Sequence, residues 1–273
     1  MGVHQNVVTT QRPAFLMIPG IIAIAFLVVP LLALISDAPW SAFPGILSSP
    51  TALEALRLSL VTSVLATIVA TLVGAPLAWL LARDSLPGTR IIRALVIVPL
   101  LLPPVVSGVA LLSAFGRRGV IGGVIYDATG WQFPFSTAGV VLAGTFVAMP
   151  FLVITLEGAF RSQDREIEEA AAVDGATPRM IFLRITLPLV LPALLAGITL
   201  TWARAIGEFG ATITFAGNLE GTTQTMPLAV YTALESDRDS AMALSIMLLV
   251  VAVAILVSLR GYYLPSRTSR SSR

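Results

Sequence analysis

Cysteine and lysine are absent from this 273-residue chain, and histidine occurs once, as His4. Without cysteine there is no disulfide framework, no thiolate metal site and no thiol nucleophile. A lone His4 in a polar N-terminal tail argues against imidazole catalysis and imidazole metal binding. The missing lysine removes the Gly-Lys-Ser/Thr loop that cradles nucleotide phosphates, so any ATP hydrolysis must belong to another polypeptide. Charge is scarce as well: Asp, Glu, Lys and Arg make up 12% of the chain against 56% hydrophobic residues, and the mean hydropathy is +0.89. A soluble domain needs a far more polar surface, so the composition defines an integral membrane protein. The net charge is only +2, and the arginines scatter over loops rather than gathering on one face, which gives nucleic acid no landing patch.

What the chain has is apolar length. Runs at about 14–35, 55–82, 91–115, 137–160, 187–209 and 241–259 are each long enough to cross a hydrocarbon core of roughly 20 helical residues. They lack the period-2 alternation of barrel strands, and backbone groups in lipid must be satisfied within the segment, so helices are the expected form. The expected fold is all-α, a polytopic membrane protein of about six transmembrane helices in one transmembrane domain, 1–273, with no room for an appended soluble domain. The first run is too long for a signal core and lacks a clear cleavage site, so it reads as a retained helix. With the N-terminus inside, most arginines fall in cytoplasmic segments; Arg57, Arg117, Arg118, Arg204 and Arg238 are the exceptions. Both termini are therefore expected in the cytoplasm. Pro99, Pro103 and Pro104 are expected to kink or locally unwind the third span. Thr62, Ser63, Thr67 and Thr71 recur near helical spacing and suit either the lining of a pathway or hydrogen bonds across a helix interface, of which the interface is the favoured reading. The segment 210–240 is polar and reads as an external piece able to face a soluble partner.

The loop 161–186 is the polar exception, and it reads as two short cytoplasmic helices. Asp164 caps the first, Glu166, Glu168 and Glu169 favour its positive end, and Gly175 suits a left-handed exit. Thr177 followed by Pro178 opens the second, because proline in the first turn needs no backbone donor. Ala170, Ala171 and Ala172 keep one surface slim, so the groove of another protein can approach the backbone. The plain alternative is an amphipathic segment lying on the membrane surface.

The sequence Glu169-Ala170-Ala171, three residues, Gly175, nine residues, Ile185, one residue, Leu187-Pro188 resembles the hallmark of membrane subunits of bacterial ABC importers at every fixed position. The resemblance implies that 161–186 is a coupling loop seated in a cleft of a separate ATPase. Over nearly the whole chain the sequence is similar to the molybdate permease family and its tungstate and sulfate relatives. The stretches 99–108, 115–122, 135–139, 207–217 and 223–231 carry that similarity. By resemblance, the partners are a second copy of the permease, two cytoplasmic ATPase subunits that hold ATP and Mg, an external substrate-binding protein and the lipid bilayer. The chain itself is expected to carry no cofactor, to sit in the bacterial inner membrane, and to pass a tetrahedral oxyanion, most closely molybdate.

Arg204 and Glu208 lie one turn apart on the fifth span, about 24 Å of helical rise beyond Pro188 and so near its external end. Two readings are open: Arg204 favours a dianion at the outer mouth while Glu208 fixes its rotamer or a gate, or the two form a structural ion pair. Thr212 and Thr214, with Gly207, Gly210 and Gly217, suit passing contacts with an oxyanion, although ordinary loop chemistry explains them too. A permease is expected to hold its cargo weakly, since a deep well halts passage. An ion-coupled secondary transporter requires intramembrane acids or broken helices for the coupling ion, and of the acids only Glu157 and Glu208 lie in or near the spans. No nucleophile–base pair or ligand cluster supports an intramembrane enzyme.

Overall fold

A computed structural model describes residues 14–263; His4, Arg12 and the arginines beyond Tyr263 lie outside the described residues. The helices are α1 (Ala14–Ser36), α2 (Phe43–Leu47), α3 (Pro50–Ala82), α4 (Thr89–Leu101), α5 (Pro104–Phe115), α6 (Gly122–Thr129) and α7 (Thr137–Arg161). They continue as α8 (Arg165–Val173), α9 (Pro178–Ile181), a π turn (Phe182–Thr186), α10 (Leu187–Ile206), α11 (Gly210–Phe215), α12 (Met226–Ser236) and α13 (Arg238–Tyr263). No strand occurs among the described residues.

Five helical stretches among the described residues are long and apolar enough to span a membrane: Phe15–Ser36, Pro50–Ala82, Thr137–Arg161, Pro178–Ile206 and Arg238–Ile255. The run 91–115 is locally unwound, as expected from Pro99, Pro103 and Pro104. Helix α4 stops at Leu101, Leu102 is extended at φ −72°, ψ 135°, and α5 begins at Pro104. Pro103 and Pro104 contribute no N–H, and a proline pushes the residue before it out of the helical region. At 1.5 Å per residue the 13 and 12 residues of the two halves rise about 20 and 18 Å, so only together do they match a hydrocarbon core.

Helix α7 lies at the centre, packed between α3 and α10. Its contact with α3 is built from small residues. A Cβ on Gly74 would stand 3.2 Å from side-chain atoms of Met149 and Val153, and one on Gly144 would stand 3.2 Å from Ala66 Cβ. Close approach of this kind lets dispersion hold helices together where lipid removes the hydrophobic drive. Ser63 Oγ accepts from Trp202 Nε1 at 2.9 Å and joins α3 to α10, which meets the interface expectation. Thr62, Thr67 and Thr71 instead donate to carbonyls one turn back on α3.

Two boundaries differ from expectation. The fifth span begins at Pro178 rather than 187, so the second half of the loop is the inner end of the span itself. The segment 210–240 is not a plain external piece: it contains α11 and α12 and buries Thr212, Thr223, Gln224 and Thr225. Helix α11 turns back against α5 and α7. A Cβ on Gly108 would lie 2.5 Å from Thr214 Cβ, and one on Gly210 would lie 2.4 Å from Pro104 Cβ, so this crossing requires glycine at both positions.

Candidate functional site

At the end of the bundle formed by the C-termini of α3 and α7 and the start of α10, the loop folds as its caps dictate. Asp164 Oδ1 accepts from Glu166 N at 3.0 Å to start α8. The helix ends on Gly175 at φ +83°, with Gly175 N bonded to Ala172 O and Ala176 N to Ala171 O, each at 3.0 Å, the paired bonds of a Schellman motif. Thr177 Oγ1 then accepts from Met180 N at 3.3 Å, with Pro178 as the first residue of α9. The chain next widens into the π turn, where Leu187 N reaches Phe182 O. Pro188 explains the widening. It has no N–H for Arg184 O and its ring crowds that carbonyl, and a wider turn relieves both.

Glu169, Ala170 and Gly175 are exposed, Ala171, Ile185 and Leu187 are half-buried, and Pro188 is exposed. Neither α8 nor α9 buries any residue. Val173 is 87% exposed, and Ile167, Met180 and Leu183 are exposed beside it in sequence. The expected site did not include these four; their signal was apolar side chains in and beside the polar loop sequence 161–186.

Two ionic networks tie this end together. In the first, Arg83 Nη2 contacts both oxygens of Glu168, at 2.6 Å for Oε2, and Thr186 Oγ1 donates to Glu168 Oε1 at 2.7 Å. The Arg83 guanidinium stands 5.8 Å over the Trp79 ring, and Trp79 meets Phe182 edge-on at 6.3 Å. In the second, Arg93 donates to Glu157, to Leu81 O at 2.7 Å and to Asp84 Oδ1 at 2.8 Å, with Arg161 Nε 3.5 Å from Glu157. The hydrogen bond from Arg93 holds the Asp84 carboxyl below its ordinary range. Glu157, available to an ion-coupled mechanism from sequence alone, is already paired.

At the opposite end, Arg204 Nη2 lies 2.6 Å from Glu208 Oε2, and Glu208 Oε1 accepts from Ala211 N at 2.8 Å, at the start of α11. Glu208 is buried, and with Ser59, Thr62, Ser63, Thr212 and Thr225 it lines a polar cavity of about 10 Å³, room for about one water. Thr212 is buried, and Thr214 donates its hydroxyl to Gly210 O at 2.9 Å. The structure thus brings Arg204, Glu208 and Thr212 together and sets Thr214 against α5.

This architecture is that of a multi-pass membrane permease subunit, a transport component rather than an enzyme. The chain belongs to the family of binding-protein-dependent transport system inner membrane components, which matches residues 74–270. It is 45% identical over 248 residues to the molybdenum transport system permease protein ModB of Mycobacterium tuberculosis, covering 91% of this chain and 94% of that protein. To the Escherichia coli K12 protein of the same name it is 40% identical over 217 residues, 80% of this chain and 94% of the relative. A probable sulfate transport system permease protein, cysT of Helicosporidium, is 35% identical over 86% of this chain and 88% of its own length. Among solved structures, a chain of a bacterial alginate ABC transporter in complex with an alginate-bound periplasmic protein superposes with a TM-score of 0.74, at 20% identity over 91% of this chain and 92% of that one. At that identity the likeness shows the fold alone.

Proposed function

We propose that the chain forms the molybdate pathway of an ATP-driven importer. It works as a homodimer, with two cytoplasmic ATPase subunits that bind ATP and Mg and an external binding protein that delivers the anion. The observation that carries this reading is the exposed helix–turn–helix Arg165–Ile181, which presents Glu169, Ala170, Ala171 and Gly175 at its surface and runs without a break into α10. A partner that moves this tip has a direct lever on a spanning helix. Arg83, Arg90, Arg93, Arg161, Arg165, Arg179 and Arg184 all belong to the same end of the bundle, which supports a cytoplasmic loop and cytoplasmic termini. A pathway that holds its cargo weakly leaves selectivity to the binding protein.

The coupling half is tested at Gly175. A Cβ there meets nothing within 4 Å, so a substitution acts through the backbone alone. Gly175→Val places a β-branched residue in the left-handed region at a cost of about 1–2 kcal/mol. The variant is expected to insert normally but to lose the ATPase on purification or to hydrolyse ATP without uptake. Gly175→Asn, which tolerates that conformation, is expected to work. Wild-type uptake by Gly175→Val sinks the coupling reading. The cargo is tested by competition among molybdate, tungstate and sulfate in vesicles carrying the whole transporter. A second reading, a sulfate permease, is favoured by the sulfate permease relative, and uptake of sulfate alone would establish it in place of molybdate.

A further inference from the structure

We infer that Glu168 is the positioning residue through which the loop drives the bundle, an inference that rests on the coupling reading above. Helix α8 buries none of its residues, and a cleft of about 360 Å³ lies beside it, lined by Trp79, Arg83, Glu168, Ala172, Phe182 and Thr186 among others. Glu168 bridges from α8 to the bundle. Its carboxylate holds the guanidinium of Arg83, the residue that ends α3, and accepts from Thr186, the last residue before α10. Thr186 is itself buried, and its carbonyl accepts from Gln163 Nε2 at 3.1 Å, which adds the α7–α8 connection to the same junction. With Arg83 and Glu168 side chains only 17% and 19% exposed, the clamp is sheltered from water, where charge-assisted bonds are strongest.

The position of the π turn gives this clamp its purpose. A π turn is a local departure from the α ladder and often marks a functional position. Here it occupies Phe182–Thr186, between the loop helices and α10. Glu168 braces that turn by gripping its far end at Thr186 and, in the same contact, the end of α3. One side chain therefore moves the ends of two spanning helices together. Glu169, the acid of the sequence motif, is exposed and lines the same cleft without an ion pair to Arg83, so the contact to the bundle falls to Glu168.

The test uses the complete transporter, with ATPase subunits and binding protein, in proteoliposomes, reading ATPase co-purification, ATP hydrolysis and molybdate uptake. Glu168→Gln keeps the shape and the acceptor for Thr186 but removes the charge that holds Arg83. Assembly and hydrolysis are expected to persist while uptake per ATP falls roughly tenfold, the scale at which linked sites commonly couple. The paired reversal Arg83→Glu with Glu168→Arg is expected to recover part of the loss. Unchanged uptake per ATP in Glu168→Gln overturns the inference. Loss of the ATPase from the purified complex also overturns it, since Glu168 would then serve docking rather than transmission. Should Glu168→Gln fail to insert, Thr186→Val carries the same expectation, and an unchanged ratio there is equally fatal. If Gly175→Val transports normally, the docking reading itself fails; if Gly175→Val is inactive and Glu168→Gln keeps its ratio, only the present inference does.

Discussion

Each end of the bundle holds a glutamate against an arginine, but the two pairs are assembled from different distances. Arg204 and Glu208 are i and i+4 neighbours, and Glu208 also caps the start of α11. Arg83 and Glu168 are 85 residues apart and join elements that share little packing. Around Glu208 the backbone closes to glycine contacts and a cavity of about 10 Å³; around Glu168 there is a cleft of about 360 Å³. Close packing makes an element shift as a block or not at all. On the proposed topology the outer end, around Glu208, is the packed one, and the loop end is the one a partner would move through the Arg83–Glu168 clamp.

The sharpest way to break that contrast is to overfill the outer end. Gly108→Leu adds atoms where even a Cβ would lie 2.5 Å from Thr214 Cβ and 3.0 Å from Ala211 O. We expect a loss of about 1–3 kcal/mol or more, read as a large fall in melting temperature in detergent. The control is Gly158→Ala near the loop end of α7, where a Cβ meets nothing within 4 Å; a helical Ala there is expected to raise stability by about 0.5–1 kcal/mol. Equal effects at the two sites would remove the distinction between a packed end and an open one.

Next in size is Glu208→Ala, which leaves the buried Ala211 N–H without its acceptor and Arg204 without its partner. A cost of about 2–3 kcal/mol is expected, with uptake falling only as far as folded protein is lost. Glu208→Gln keeps an acceptor for Ala211 and should fall between the two. Glu168→Gln is expected to show a different pattern, with a smaller loss of melting temperature than Glu208→Ala and a poor yield of uptake per ATP. If Glu208→Ala instead uncouples a fully folded transporter, the outer pair is part of the moving machinery.

How much of this was readable from residues alone follows from the range of each interaction. Apolar length is local, so the spans were legible, and so was the weakness of the third, where three prolines sit within six residues. Capping is local too: Asp164, Gly175 and Thr177 act on backbone within a few residues, and each does what its type predicts. The Arg83–Glu168 and Arg93–Glu157 pairs were not legible, because their members stand 85 and 64 residues apart and any arginine at that end is an equal candidate beforehand. The segment 210–240 misled for a different reason. Its threonines count as polar in any pattern, yet Thr223 Oγ1 accepts from Leu219 N at 2.8 Å and a neighbouring amide, Met226 N, is satisfied by Ser59 Oγ at 2.7 Å. Hydroxyls that close on nearby backbone can be buried, and only the tertiary fold shows which ones do so.

The smallest effect is expected at Asp84, and it probes how the loop end is wired without disturbing its shape. Asp84 sits between α3 and α4 at φ 50°, a left-handed position that asparagine also accepts, so Asp84→Asn removes charge and little else. Its carboxyl is held below the ordinary range first by the Arg93 hydrogen bond; desolvation opposes this next, and the charges of Arg93, Arg161 and Arg165 add to the lowering. A depressed folded-state value means that the stabilisation is present above the unfolded value of about 4 and disappears as the pH falls through the folded one. The melting temperature of wild type should therefore exceed that of Asp84→Asn slightly near neutral pH, and the gap should close in acid. Asp84 is exposed, so salt should shrink the gap as well. A gap that ignores both pH and salt would assign the effect to the turn rather than to charge. It would also disconnect Asp84 from Arg165, the first residue of α8, and leave the Arg83–Glu168 pair to carry the ionic link between the loop and the end of α3.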